Sequence, residues 1–150
     1  AAIQVWHPKA KMIWVGDGPS TRQLAAAHPE HHFAGVRLGE DLAAHYASAD
    51  LFLFPSLTET YGNVVAEAMA SGLPVVAYRS AAAAELIVDG RNGMLAAPGD
   101  EEGYRKAALD LVSAPECPPQ LGLAARQTML AHQWAAVVER FESVVREAMA

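Results

Sequence analysis

A chain of 150 residues with 52% hydrophobic residues suits one domain of ordinary size with a buried core. Its formal net charge of -6 argues against a protein that binds the phosphate backbone of nucleic acid, because no excess of Lys and Arg is available. A lone cysteine excludes an internal disulfide, and no apolar run approaches the roughly 20 residues that a membrane-spanning helix needs.

Short apolar runs alternate with helical patterns up to about residue 100, and only helical patterns follow. Residues 1–8 are typical of a helix entered partway, as if the chain had been cut upstream. Pro19 suits the first position of a helix, and Gly72 suits a left-handed helix cap. The predicted strands span residues 11–15, 32–36, 51–54, 74–78 and 94–97. The predicted helices span residues 19–28, 41–49, 63–70, 81–88, 101–113, 121–132 and 135–148.

Alternating strands and helices with continuous Val, Ile, Leu and Phe runs indicate a parallel sheet covered on both faces. The sequence therefore predicts one Rossmann-like α/β domain over residues 1–150. A parallel sheet of about five strands is flanked by helices, and a C-terminal helical tail folds back along the domain. Ligands of such sheets bind at the carboxyl ends of the strands, so we expect the site in the loops there.

The loop and helix after the third strand, residues 55–72, carry the most informative pattern. Gly62 lets the backbone approach a ligand, and the free N–H groups of residues 63–65 at the helix start suit an anion. Glu67, one turn further on, is suited to accept hydrogen bonds from two ribose hydroxyls, and Glu59 from a second polyol. The alternative is that Glu67 faces solvent and Glu59 only caps the turn, as charged residues usually do.

Glu59 and Glu67 form an E-x7-E spacing that resembles the signature of family 4 (group 1) glycosyltransferases. Enzymes of this family have the GT-B architecture, in which two Rossmann-like domains face each other. Further segments resemble the family in order and spacing, so that the resemblance covers about residues 11–100. These segments are residues 15–19 (VGDGP), 33–36 (FAGV), 49–56 (ADLFLFPS), 72–77 (GLPVVA), 85–93 (ELIVDGRNG) and 98–100 (PGD).

The resemblance implies that the chain is the C-terminal, donor-binding half of a GT-B fold and that the N-terminal acceptor domain is absent. Glu59 is the implied catalytic residue, which holds the transferred sugar near its 3-hydroxyl, and Glu67 binds the ribose. Residues 36–38 fall where the family holds the nucleobase, largely through backbone groups. The remaining implied donor-binding residues are Gly16, Gly18, Val36, Arg37, Leu38, Thr60, Tyr61, Gly62, Asn63 and Val64.

The implied activity is retaining transfer of a hexose from a GDP- or UDP-linked sugar to an acceptor, a lipid or a saccharide, that the sequence does not identify. No metal or other cofactor is expected, which fits the lack of an Asp-x-Asp pair. The family's diphosphate-binding Arg and Lys precede the helix that opens this chain, so the fragment alone is expected to be inactive. Nucleic acid is not an expected partner. The expected location is the cytoplasm, with peripheral attachment to the inner membrane through the missing domain left open.

Other functions remain as alternatives. A sugar-nucleotide epimerase has the same two-domain fold, and a non-catalytic module would bind the donor without turnover. Residues 16–21 (GDGPST) resemble a dinucleotide-binding turn, but Thr21 replaces its last glycine and Pro19 stiffens it. The histidines at 28, 31 and 32 suggest a metal site, but adjacent histidines at a strand start point to opposite sides, which favours a polar surface loop.

Overall fold

The computed structural model describes residues 2–114, 117–132 and 134–149. Strands and helices alternate in this part of the chain up to residue 96, and three helices follow. The strands are β1 (Ile13–Val15), β2 (His32–Gly35), β3 (Phe52–Phe54), β4 (Val75–Tyr78) and β5 (Met94–Ala96). The helices are α1 (Ala2–Trp6), α2 (Thr21–Ala27), α3 (Gly39–Ala47), α4 (Asn63–Ala70), α5 (Ala81–Leu86), α6 (Glu101–Ser113), α7 (Cys117–Ala131) and α8 (Trp134–Ala148).

The chain forms two compact units, and the first of them is Ala1–Ser48. It contains a two-stranded parallel sheet in which β1 pairs with β2 and Ile13 lies opposite His32. Both side-chain faces of β1 are exposed. Ala34 is the one buried apolar residue among the described residues of this unit, so its core is small.

The second unit, Ala49–Ala150, contains a three-stranded parallel sheet in the order β3-β4-β5. Phe54 lies opposite Ala77, and Tyr78 lies opposite Ala96, so the strands end at one edge of the sheet. Every residue of β4 is buried, because this central strand is paired on both sides and covered by helices. The fully buried large side chains of the core are Val65, Met69, Val75, Val76 and Leu111.

Helix α7 packs closely against α4 through two glycines. A Cβ atom built on Gly122 of α7 would lie 2.2 Å from the carbonyl oxygen of Gly72, the residue that follows the α4 C-cap. Gly72 has a φ of 80°, the left-handed conformation predicted for it. Glycine at position 122 therefore sets how closely the two helices approach.

The predicted α/β fold class, with parallel strands, flanking helices and a helical tail, is confirmed. The five strands form ladders of two and three strands rather than one ladder. The single-domain assignment of residues 1–150 stays a prediction. No helix in the described ranges is long and apolar enough to cross a membrane.

The bounds of several predicted elements differ by a few residues from those in the structure, as for α3, which lies two residues earlier than predicted. α2 begins at Thr21 rather than Pro19, because the N–H of Gly18 bonds the side chains of Asp17 and Thr21 in a turn. α7 begins at Cys117, four residues early, since prolines in a first helical turn remove no helical hydrogen bond. Residues 136–149 of α8 are all exposed, and none of them is among the buried apolar residues of the described core. α8 therefore does not pack along the domain as predicted.

Candidate functional site

In the second unit, the loop that leaves β3 places Glu59 in front of α4. The hydroxyl of Ser56 donates a hydrogen bond of 2.8 Å to Oε1 of Glu59. The stem of Glu59 lies against Gly62, where an added Cβ would be 3.7 Å from its Cγ. Glu59 itself is exposed. One carboxylate oxygen is thus held by the loop, and the side chain remains accessible to a polyol.

Gly62 ends this loop and caps α4. Its φ of 88° is a left-handed conformation that a residue with a Cβ adopts only with strain. The exposed Thr60 and Tyr61 precede it, and the carbonyl of Tyr61 accepts a 2.8 Å hydrogen bond from the N–H of Ala82 in α5. The loop is therefore fixed at both ends, by β3 and by the start of α5.

The start of α4 offers fewer free amides than expected. The N–H of Val65 donates to the carbonyl of Gly62 over 3.0 Å, so this group is not available to a ligand. Among the described residues, no acceptor bonds the N–H of Asn63 or of Val64. Two amides at a helix N-terminus, where the helix dipole is positive, suit an anionic group.

Glu67 lies on the exposed face of α4, one turn after the exposed Asn63. The opposite face carries the buried Val65, Ala68 and Met69. Glu67 therefore lies on the surface of the second unit, on the same side of α4 as Asn63.

The first unit holds the remaining predicted residues. The N–H of Gly16 donates to the carbonyl of Gly35 over 2.8 Å, and the N–H of Gly18 donates to Asp17 and Thr21. Neither amide is therefore free to bind a phosphate. No atom lies within 4 Å of a Cβ added at either glycine, so a ligand could approach the backbone of this turn closely.

The predicted nucleobase segment follows β2. Val36 and Leu38 are 64% and 75% exposed. Arg37 forms a 3.1 Å ion pair with Asp41, which lies in the first turn of α3. Both side chains are partly exposed, so this pair contributes little to stability. The segment thus presents two apolar side chains with a guanidinium between them.

The structure brings Glu59, residues 60–64 and Glu67 together around the start of α4 in the second unit, and residues 16, 18 and 36–38 follow β1 and β2 in the first. The family described as glycosyl transferases group 1 matches residues 1–114. The chain belongs to this family. The predicted family resemblance is therefore confirmed.

Curated relatives of this glycosyl transferase chain are longer proteins. It is 36% identical over 142 residues to a sulfoquinovosyl transferase of Arabidopsis thaliana, covering 91% of this chain and 28% of the relative. It is 37% identical over 130 residues to a GDP-mannose-dependent alpha-mannosyltransferase of Mycobacterium tuberculosis, covering 86% of this chain and 34% of the relative. The chain thus spans about a third of the length of these two relatives.

Solved structures support the fold of this glycosyl transferase chain. Sucrose-phosphate synthase from Thermosynechococcus elongatus superimposes with a TM-score of 0.80 over 99% of this chain and 41% of that protein, at 24% identity. A protein of Anabaena in complex with UDP-glucose superimposes with a TM-score of 0.75 over 95% of this chain and 42% of that protein, also at 24% identity.

The histidine cluster of this glycosyl transferase chain does come together, through His28, Glu30 and His31. His31 is buried and the adjacent His32 is exposed, as opposite directions along a strand start require. A hydrogen bond from its own backbone N–H, with a weaker contribution from His28, lowers the pKa of Glu30 below its usual value.

The hydrogen bonds of His31 argue against a metal ion in this cluster. The indole N–H of Trp14 donates to Nδ1 of His31 over 3.1 Å, so in the neutral ring the proton is on Nε2, which donates to Gln4. Nε2 is the atom that faces Glu30, and a protonated nitrogen cannot bind a metal. The assignment of no metal stays a prediction.

Sequence reasoning did not identify Ser56 as the partner of Glu59. A serine three positions before a carboxylate in a loop could have indicated this hydrogen bond, because serine side chains commonly bond nearby groups in turns. The bond between Ala82 and Tyr61 had no local signal, since it joins residues 21 positions apart through the fold.

Proposed function

We propose that the chain is the donor-binding part of a retaining glycosyltransferase of the hexosyltransferase type that uses a GDP- or UDP-linked sugar. The arrangement around α4 supports this proposal best. Glu59, held by Ser56, precedes two unbonded amides, and the exposed Glu67 follows one turn later. In this order, the Glu59 carboxylate suits the hydroxyls of a sugar, the two amides suit a diphosphate, and the Glu67 carboxylate suits the hydroxyls of a ribose.

In the proposed reaction, the bond between the sugar C1 and the diphosphate oxygen breaks, and the acceptor oxygen bonds to C1 with retention. The acceptor hydroxyl would pass its proton to an oxygen of the departing diphosphate, and the nucleoside diphosphate would leave. Negative charge develops on the diphosphate, where the N–H groups of Asn63 and Val64 would stabilise it. Glu59 would hold the transferred sugar near its 3-hydroxyl, and Glu67 would accept from the ribose hydroxyls. We assign no metal or other cofactor to this step.

The nucleobase would contact residues 36–38, largely through their backbone, with Gly16 and Gly18 contributing open backbone nearby. The mycobacterial relative is a GDP-mannose-dependent enzyme by name, and the Anabaena structure contains UDP-glucose. Both bases therefore stay in the proposal. The acceptor, a lipid or a saccharide, would bind the N-terminal domain of the complete enzyme. We place that enzyme in the cytoplasm, with peripheral attachment to the inner membrane left open.

The first test is an NMR titration of this chain with GDP and UDP. We expect weak binding, because exposed amides at a helix start contribute only about 0.3–1 kcal/mol to holding an anion. Glu67→Ala should weaken it about tenfold, which is the effect of losing one charge-assisted hydrogen bond. Glu139→Ala is the matched control, because it removes an exposed helical carboxylate from α8.

Four outcomes would contradict parts of the proposal. Binding unaffected by Glu67→Ala removes its ribose role, and Kd values of micromolar or below show that the site binds more tightly than exposed helix amides allow. Sugar transfer by this chain alone overturns the assignment of a half site. In the complete enzyme, a changed donor sugar in the absence of any acceptor would identify an epimerase instead.

A further inference from the structure

The carboxyl edge of the three-stranded sheet has a single cation. The loops that leave β3, β4 and β5 are residues 55–62, 79–80 and 97–100. Among these described residues, Arg79 is the one basic side chain, and Glu59 and Asp100 are the acids. Without Arg79, the charged side chains of these loops would all be negative, which disfavours an anionic ligand.

Arg79 is exposed and forms no ion pair with any described residue. The cations Arg37, Arg105, Lys106 and Arg146 differ in this respect, because each is paired with an acid within four residues. An unpaired guanidinium can bind a ligand without first losing a protein partner. Its fork of N–H donors matches the oxygens of a phosphate.

The backbone around Arg79 is held in place and connected to the start of α4. The N–H of Arg79 donates to the carbonyl of Ala96 in β5 over 2.8 Å. Three residues later, Ala82 bonds Tyr61, which immediately precedes Gly62 and α4. Between them, Ala81 has a φ of 43°, an unusual conformation for a residue with a Cβ. The turn that carries Arg79 is thus tied to the loop of Glu59.

We propose that Arg79 binds the diphosphate of the nucleotide donor and supplies positive charge for its departure. This inference rests on the proposed function. Sequence analysis of this chain assigned only the amides at the start of α4 to the negative charge of the diphosphate. The inference adds a basic side chain, which follows β4. Arg79 would discriminate in favour of nucleoside diphosphates over monophosphates, because a second phosphate adds charge for the guanidinium to bind.

The test is an NMR titration of this chain with UDP and UMP, and with GDP and GMP. Arg79→Gln should weaken diphosphate binding about tenfold and monophosphate binding much less, so that the preference for the diphosphate falls. Arg79→Lys should keep part of the preference, since the charge remains without the fork of donors. Arg91→Gln is the matched control, because Arg91 is exposed in the loop that enters β5, at the opposite edge of the same sheet.

Equal diphosphate affinities for the wild type, Arg79→Gln and Arg91→Gln would overturn the inference. If Glu67→Ala weakens binding and Arg79→Gln does not, the inference fails while the proposed function stands. If the wild type binds neither UDP nor GDP, both fail. Circular dichroism should show unchanged folding in all three variants, because both arginines are exposed.

Discussion

Tyr104 is a partly buried phenol of α6 whose hydroxyl donates to the carbonyl of Val76 in β4 over 3.1 Å. Burial first, and the neighbouring Tyr78 second, raise the pKa of Tyr104 above its usual value. The phenol is therefore kept neutral in the folded chain at pH values where a solvated tyrosine loses its proton.

Stability should fall at alkaline pH because of this tyrosine. The unfolded chain releases the proton above a pKa of about 10, and the folded chain retains it, so stability is complete below that pH and declines above it. Urea denaturation between pH 8 and 11 measures the decline. Tyr104→Phe should cost about 1 kcal/mol at pH 8 through the lost hydrogen bond, yet lose less stability than the wild type as the pH rises. Parallel declines for the two proteins would contradict this prediction.

The packing of α7 against α4 depends on Gly122, which has no side chain. Alanine usually stabilises the interior of a helix by about 1 kcal/mol relative to glycine. At position 122, however, the added methyl group would overlap the backbone of Gly72, which cannot move as a flexible side chain does. Overpacking of this kind costs about 1–3 kcal/mol or more.

We therefore expect Gly122→Ala to destabilise the second unit by about 2 kcal/mol, measured by urea denaturation. Gly18→Ala is the control, because an added Cβ there meets no atom within 4 Å and its φ is not positive. A variant at position 122 as stable as the wild type would show that α7 shifts away from α4 without cost.

The elements themselves were largely predictable because their signals are local. α4 and α6 begin and end as predicted, since a glycine before α4 and Asp100 before α6 mark their starts. Asp100 caps α6 by accepting from the N–H of Gly103. The role of Gly122 and the anchoring of Tyr61 were not predictable, because both depend on residues far apart in the sequence.

At the scale of the whole molecule, buried apolar residues are divided unequally between the units. The second unit contains every buried apolar residue of the described ranges except Ala34. Amide protection rises with burial and packing of a segment. We expect amides of β4 to exchange with deuterium much more slowly than those of β1, which hydrogen-exchange mass spectrometry measures. Equal protection in the two strands would contradict this expectation.

The exposed surface of Val36 and Leu38 has a thermodynamic consequence for ligand binding. Under the proposed function, a nucleobase that contacts residues 36–38 removes apolar surface from water, which makes the heat capacity of binding more negative. The contacts at α4 are charged and polar, and salt weakens them. We therefore expect the binding of a nucleoside to show the negative heat-capacity change. The binding of inorganic diphosphate should instead weaken as the ionic strength rises.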